Sequence, residues 1–593
     1  MASPPLLHAA VLAATLLLLA NTTEAFFNVF NIFHPRSESD YFQNAFDGSL
    51  EQSIPNQPQQ IITTEQEEQG AGVAATATTG LTKVPPLGPP SKAAQAVILP
   101  VNDADAGRPT GTWTIISENS GVSAMHLAVM RHSKAIMFDT STTGRSSPTR
   151  GARRAHLMRM TGGYFEGEKA VRHLGACDTC DWREYPNSFA EGRWYATQQV
   201  LPDGRFIVFG GRRAFSYEFV PQPGQTNGQS VRFPFLRETT DDVENNLYPF
   251  VNLLPDGNLF VFANDRSVIF DHRTGKIIRE LPKLAGGGRN YPASAMSALL
   301  PLDLRNLTSG SDPEPEVIIC GGALKTAFRV GENNTFQPTL RDCARINLAR
   351  VDAQWAVEAM PVGRVMGDML VLPTGDLLLI NGAAKGCSGW GFARQPILSP
   401  IMYSPRLPEG SRFRPLAAST IARMYHSTSA ILPDATVLVA GGNTNAAYNF
   451  SGVDFPTEVR VERFSPPYLS PEVVGGNRAV IDVASVAVDG MRYGTKFAFR
   501  FHTPTAAVVE ADVRVTMYAP PFTTHGISMN QRLLVLPVTG FAEQGQMYEI
   551  TVDAPRKPEL APAGYYLVYV VAKDVPSVAV WINRCSKSAN NEG

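Results

Sequence analysis

At 593 residues the chain exceeds a single hydrophobic core and divides into about two to four domains. Its 44% hydrophobic and 18% charged residues, with 49 Gly and 45 Pro, describe a turn-rich globular protein, neither membrane-embedded nor wholly disordered. Lys plus Arg number 52 against 54 Asp plus Glu, a net charge of -2, so nothing electrostatic calls for nucleic acid.

Residues 9–20, "AAVLAATLLLLA", are apolar but too short to span a bilayer, and "NTTEA" supplies small residues for cleavage, so 1–25 is expected to be a signal peptide and the chain secreted. Export makes the sequons at Asn306, Asn333 and Asn449 glycan acceptors. It also favours pairing among Cys177, Cys180, Cys320, Cys343, Cys387 and Cys585, with Cys320–Cys343 one candidate bridge. The "CDTC" at 177–180 reads as a local disulfide before half a zinc site, since neither a second CxxC nor an HxxxH accompanies it.

Residues 26–108, with "SIPNQPQQIITTEQEEQGAGVAATATTG" and "KVPPLGPPSKAA", bury too little apolar surface to offset ordering entropy, and read as a low-complexity stalk or linker. A repeat follows: "LPDGRFIVFGGRR" from 201, "LPDGNLFVFAND" from 254, "LPTGDLLLINGA" from 372 and "LPDATVLVAGGN" from 432, with "EVIICGGA" from 316 lacking the turn half. Each is a tight turn, a run of β-formers, then small residues. Spacings of about 50 to 60 residues predict kelch-type blades of a β-propeller over 109–457. From 458 to 593 short alternating runs such as "KFAFRF", "DVRVTMY" and "GYYLVYVVA" predict an Ig-like β-sandwich. The fold class is all-β.

HExxH, GxSxG, P-loop and dinucleotide motifs are absent. What remains is tyrosine and histidine at strand entrances. Tyr195 stands seven residues before Pro202 and Tyr425 eight before Pro433, equivalent places on two blades. Successive strand residues face opposite ways, so Tyr425 and His426 share a site only where the chain bends. The competing reading is packing of aromatic rings between blades. His525, in "PPFTTHGISMNQR", lies between two sandwich strands on a loop long enough to reach the channel.

With these pieces the chain resembles the copper-radical oxidases, the galactose oxidase and glyoxal oxidase family, and within it the plant glyoxal oxidase-like branch. The matching text is "RWYATQQVLPDGRFIVFGGRR", "LYPFVNLLPDGNLFVFAN", "RMYHSTSAILPD", "THGISMNQR" and "GYYLVYVVAKDVPSVAVWI", in order over most of residues 110–585. The resemblance implies a seven-bladed propeller with copper held by Tyr195, Tyr425, His426 and His525. It further implies a radical on Tyr195 and Tyr425 as general base. Two imidazoles and phenolates suit Cu(II) better than zinc or calcium. The implied reaction oxidises a small aldehyde such as glyoxal or methylglyoxal to an acid and reduces O2 to hydrogen peroxide. A primary-alcohol or galactose-type oxidase is the near alternative, and a propeller binding glycan or protein is the non-enzymatic one. Cell-wall polysaccharide is a further partner this reading allows. Trp390 and Phe392 are candidates for the pocket wall or for packing.

The family bonds a cysteine to the radical tyrosine's ring, on a strand about fifteen residues before the Gly-Gly that here is Gly162-Gly163. The corresponding text, near Ser147, has no cysteine and carries Arg145, Arg150, Arg153, Arg154 and Arg159. Cys177 and Cys180 follow the glycines instead of preceding them, so no thioether is expected. Either part of a blade near 145–160 is lost or the sequence carries a mispredicted transcript; the abrupt join favours the second.

Overall fold

The computed structural model describes the backbone of residues 27–29, and residues 95–101, 106–131, 134–139, 167–174, 182–308, 310–487 and 489–584. The leader, most of the stalk, the stretch around Ser147, and Cys177, Cys180 and Cys585 lie outside the described residues.

Among the described residues five four-stranded antiparallel blades are present, entered by the inner strands Ala196–Val200, Phe250–Leu253, Met296–Leu299, Asp368–Val371 and Ser427–Ile431. Four of these inner strands turn through the repeated Leu-Pro segment into a second strand, as at Leu201, whose N–H bonds the Arg205 carbonyl at 2.8 Å; in the third blade Leu300 instead bonds Glu316 across a longer connection. The second strands are apolar without alternation because neighbouring blades cover both faces: Leu259–Ala263 and Leu377–Ile380 are buried at every position. Fully buried Phe260 and Phe262 each contribute about 1.5–3 kcal/mol. The fifth blade takes its outer strand, Thr112–Ser117, from the start of the described chain, where it pairs with Val461–Ser465. A further four-stranded sheet joins His126–Met130 and Lys134–Phe138 to a hairpin of the C-terminal domain, and a three-stranded one carries Val171–Leu174 with Trp182–Tyr185.

Two sheets form the C-terminal sandwich. One contains Lys496–His502, Val538–Gln544 and Met547–Asp553; the other is built on Val513–Ala519, Arg532–Leu536, Gly564–Ala572 and Val580–Arg584. The alternating burial of Met547–Asp553 is what a strand with one wet face requires. Cys320 and Cys343, one candidate bridge in the sequence, lie directly opposite on paired strands and are bonded to each other; Cys387 is free and buried.

Two boundaries differ from the sequence reading. Val461–Ser465 belongs to the fifth blade, so the propeller extends past residue 457; this strand is short and irregular in its alternation and lies beyond the last repeat copy. The segment 26–108 is not all linker: Phe27–Val29 pairs with Val171–Leu174, and Val97 and Leu99 dock on Ile397 and Ser399 of the fourth blade. Isolated β-formers among Pro and Ala give no periodic signal, yet an edge with unpaired N–H groups accepts them.

Candidate active site

The five inner strands are entered through a residue in the left-handed region: Tyr195 (φ 66), Tyr248 (φ 48), Ser294 (φ 40), Met366 (φ 48) and His426 (φ 102). A side chain in this region costs about 1–2 kcal/mol and persists only where surroundings over-determine it. At four of the five the surroundings include a buried arginine; Tyr248 is held instead by its N–H on the Tyr195 carbonyl and by Asn290 on its own carbonyl. Arg193, Arg289, Arg364 and Arg423 each sit two residues before Tyr195, Tyr291, Met366 and Tyr425 and donate Nη1 to a carbonyl of the adjacent strand, at Gly210, Gly321, Asn381 and Gly441. Glu218, Asp342 and Glu462 neutralise three of them. The left-handed turn at His426 also answers how two neighbours share a site: the Tyr425 and His426 rings stack with centroids 3.8 Å apart.

His525 arrives from the other domain. The strands Phe522–Thr524 and Ile527–Met529 are joined by His525 and Gly526 alone, at φ 50 and 78, the two positive values of a type I′ turn. This hairpin pairs with His126–Met130 and runs along inner strands of four blades, so its tip lies on the propeller axis. A Cβ on Gly526 would meet the Gly367 carbonyl at 2.6 Å, a closeness only glycine permits. Asn530 and Gln531 then anchor the finger by accepting the backbone N–H groups of Val200 and Val371, at 2.7 and 2.9 Å.

The four residues singled out in the sequence, Tyr195, Tyr425, His426 and His525, come together in this structure. His525 packs at 5.5, 5.8 and 4.8 Å, centroid to centroid, from Tyr195, Tyr425 and His426. None is more than 6% exposed. Burial pushes the His426 pKa down to about 3 and lowers that of His525 well below the usual imidazole range, so both rings are neutral. Their Nε2 atoms face each other at 3.2 Å. His525 Nδ1 lies 2.7 Å from Thr524 Oγ1 and 3.3 Å from the Tyr248 hydroxyl; with its proton on Nδ1 and donated there, Nε2 presents a lone pair. Alone, the two Nε2 atoms share one proton. With a cation they fit equally well, because two ~2 Å bonds meeting near a right angle separate their nitrogens by ~3 Å. Among the described residues no group of three or more His, Cys, Asp or Glu could hold a metal, so protein donors beyond the two imidazoles would be the neighbouring phenols.

Three neighbours were not singled out. Tyr291 bridges the other two tyrosines, its hydroxyl 2.8 Å from that of Tyr425 and 3.3 Å from that of Tyr195. Tyr248 reaches His525, and His126 lies edge-on to it at 6.4 Å. The Arg-x-Tyr spacing of Arg193-Tyr195 and Arg423-Tyr425 recurs at Arg289-Tyr291 and is the signal that finds Tyr291. Trp194 stacks on Tyr195 at 4.6 Å. Phe392 stacks on Phe328 at 4.4 Å, and Trp390 packs on the core, which is the packing reading of that pair.

The model of the family described as "Glyoxal oxidase N-terminus" matches residues 153–468, and that of "Galactose oxidase-like, Early set domain" matches 478–583. The chain is 41% identical to "Aldehyde oxidase GLOX1" of Arabidopsis thaliana over 80% of its length and 84% of that protein's. It is 37% identical to "Aldehyde oxidase GLOX" of Vitis pseudoreticulata, over 80% and 97%. A fungal alcohol oxidase solved in complex with copper covers 80% of this chain and 99% of its own, at 16% identity and a TM-score of 0.49.

Proposed function

The chain belongs to the glyoxal oxidase family and is an oxidase, and on that premise we propose that it is a secreted copper-dependent oxidase converting small aldehydes such as glyoxal to carboxylic acids while O2 becomes hydrogen peroxide. The observation that carries this reading is the pair of neutral imidazoles, from two domains, whose Nε2 atoms face each other at 3.2 Å among buried tyrosines.

His426, His525, Tyr425 and Tyr195 would hold copper, a donor set of nitrogen and phenol oxygen suited to that metal. Bound there, copper supplies a Lewis-acid seat for a substrate hydroxyl and one of the two electron acceptors that an alcohol-level oxidation needs. The Tyr425 oxygen takes the proton of the aldehyde hydrate's hydroxyl. In its one-electron-oxidised, phenoxyl form the Tyr195 oxygen takes a hydrogen atom from the same carbon, which accounts for the other electron, and O2 would take up both electrons and both protons as hydrogen peroxide. Burial of every one of these side chains keeps bulk water away and restricts the substrate to a small molecule.

Absence of a cysteine ahead of Gly162 favours a second reading, an extracellular propeller that binds glycan or protein without turnover. A peroxide-coupled assay of the copper-loaded protein with glyoxal, a primary alcohol and galactose separates the two. Peroxide with glyoxal above the others supports the aldehyde oxidase; peroxide with none of the three leaves the binding module.

A further inference from the structure

Tyr291 is among the largest fully buried side chains, at 1% exposure, and occupies the same Arg-x-Tyr station of its blade that Tyr195 and Tyr425 occupy in theirs. Its ring lies on that of Tyr195, centroids 4.4 Å apart and tilted by 34°. Its backbone is fixed: the Tyr291 N–H donates to the Leu247 carbonyl at 3.1 Å, and the preceding Asn290 accepts from the Asn264 N–H and donates to the Tyr248 carbonyl. An apolar side chain would satisfy this packing, as buried Met366 does two residues after Arg364 in the fourth blade. The hydroxyl needs a separate explanation.

A phenol has one proton to donate. The 2.8 Å separation from Tyr425 is an ordinary O–H···O distance, whereas 3.3 Å to Tyr195 lies outside it. We infer that Tyr291 is a positioning residue: its hydroxyl donates to the Tyr425 oxygen and fixes that oxygen's orientation, and with its one proton so used it can only accept, at the longer distance, from Tyr195. One buried phenol thereby makes two otherwise similar tyrosines inequivalent, Tyr425 as its acceptor and Tyr195 as its donor.

This inference rests on the copper reading, and the experiment separates the two. Tyr291→Phe keeps the ring and removes the hydroxyl; Tyr291→Met copies the fourth blade and serves if the first variant fails to fold. Each is compared with the parent in copper-free melting, Cu(II) uptake, the visible phenolate-to-copper absorption, and steady-state oxidation of glyoxal. The expected result is unchanged copper stoichiometry, a shifted absorption band, and kcat lower by about ten- to hundredfold with KM little changed, the loss expected for one hydrogen bond to a charged group. A parent that takes up copper and variants with its band and its kcat overturn the role of Tyr291 alone. A parent that takes up no copper overturns the metal reading and this inference with it.

Discussion

At residue scale the site depends on backbone conformations that side chains rarely adopt. His426 at φ 102 and His525 at φ 50 bring two imidazoles face to face, and Gly526 allows the hairpin tip to touch the Gly367 carbonyl. Gly526→Ala forces a Cβ into that contact at a positive φ, and should destabilise the protein by about 2 kcal/mol or more and weaken copper uptake. Denaturant unfolding and a copper titration check both, and an unchanged titration would show that the tip is not where the metal sits. Tyr425 and His426 were legible in the sequence because they adjoin a recurring turn-and-strand unit. Tyr291 was not, because its separation from Pro301 differs from the Tyr195–Pro202 and Tyr425–Pro433 spacings, although the arginine two residues before it is constant.

At the scale of the element, three of the five inner strands, the first, third and fifth, are held at their entrances by a buried arginine paired with a carboxylate. Arg423 and Glu462 are both 2% exposed at the side chain and 3.0 Å apart. Glu462→Gln leaves the guanidinium uncompensated and should cost about 3 kcal/mol, measured by thermal or denaturant unfolding. Asp368 opens the fourth inner strand, buried and without a cation, one oxygen accepting from Asn381 and Ser429. Burial pushes its pKa up to about 7, the two hydrogen bonds opposing. The folded protein therefore keeps a proton that the unfolded chain releases above pH ~4. The group's stabilisation is complete below pH ~4 and is lost as pH rises to about 7. Asp368→Asn should match the parent near pH 4 and exceed it by a few kcal/mol at pH 8, since each tenfold difference in proton affinity between folded and unfolded chain is worth ~1.4 kcal/mol. Parallel pH profiles for parent and variant would remove Asp368 as the cause.

At the scale of the whole molecule, the propeller and the sandwich form one unit through the finger. Thr428 and Thr523 hydroxyls meet at 2.6 Å, and Leu302–Asp303 from the third blade joins the sandwich sheet as a parallel strand beside Arg532–Leu536. The blades were readable because a Pro-turn followed by an apolar run is a local signal repeated along the chain. The ties between domains were not, because Asn530 and Gln531 become anchors only when the N–H groups of Val200 and Val371 are left unpaired at the channel, a fact of tertiary structure. The same holds for the fifth blade, whose outer strand at 112–117 and third strand at 461–465 lie at opposite ends of the propeller sequence.

The central claim is that side chains of two blades and one hairpin surround a single copper ion. Electron paramagnetic resonance of the protein titrated with Cu(II) tests it most directly. One copper per chain, with splitting from two imidazole nitrogens in the parent and from one in His525→Ala, is the predicted result. Failure to take up Cu(II), or a His525→Ala spectrum identical to the parent's, would contradict it.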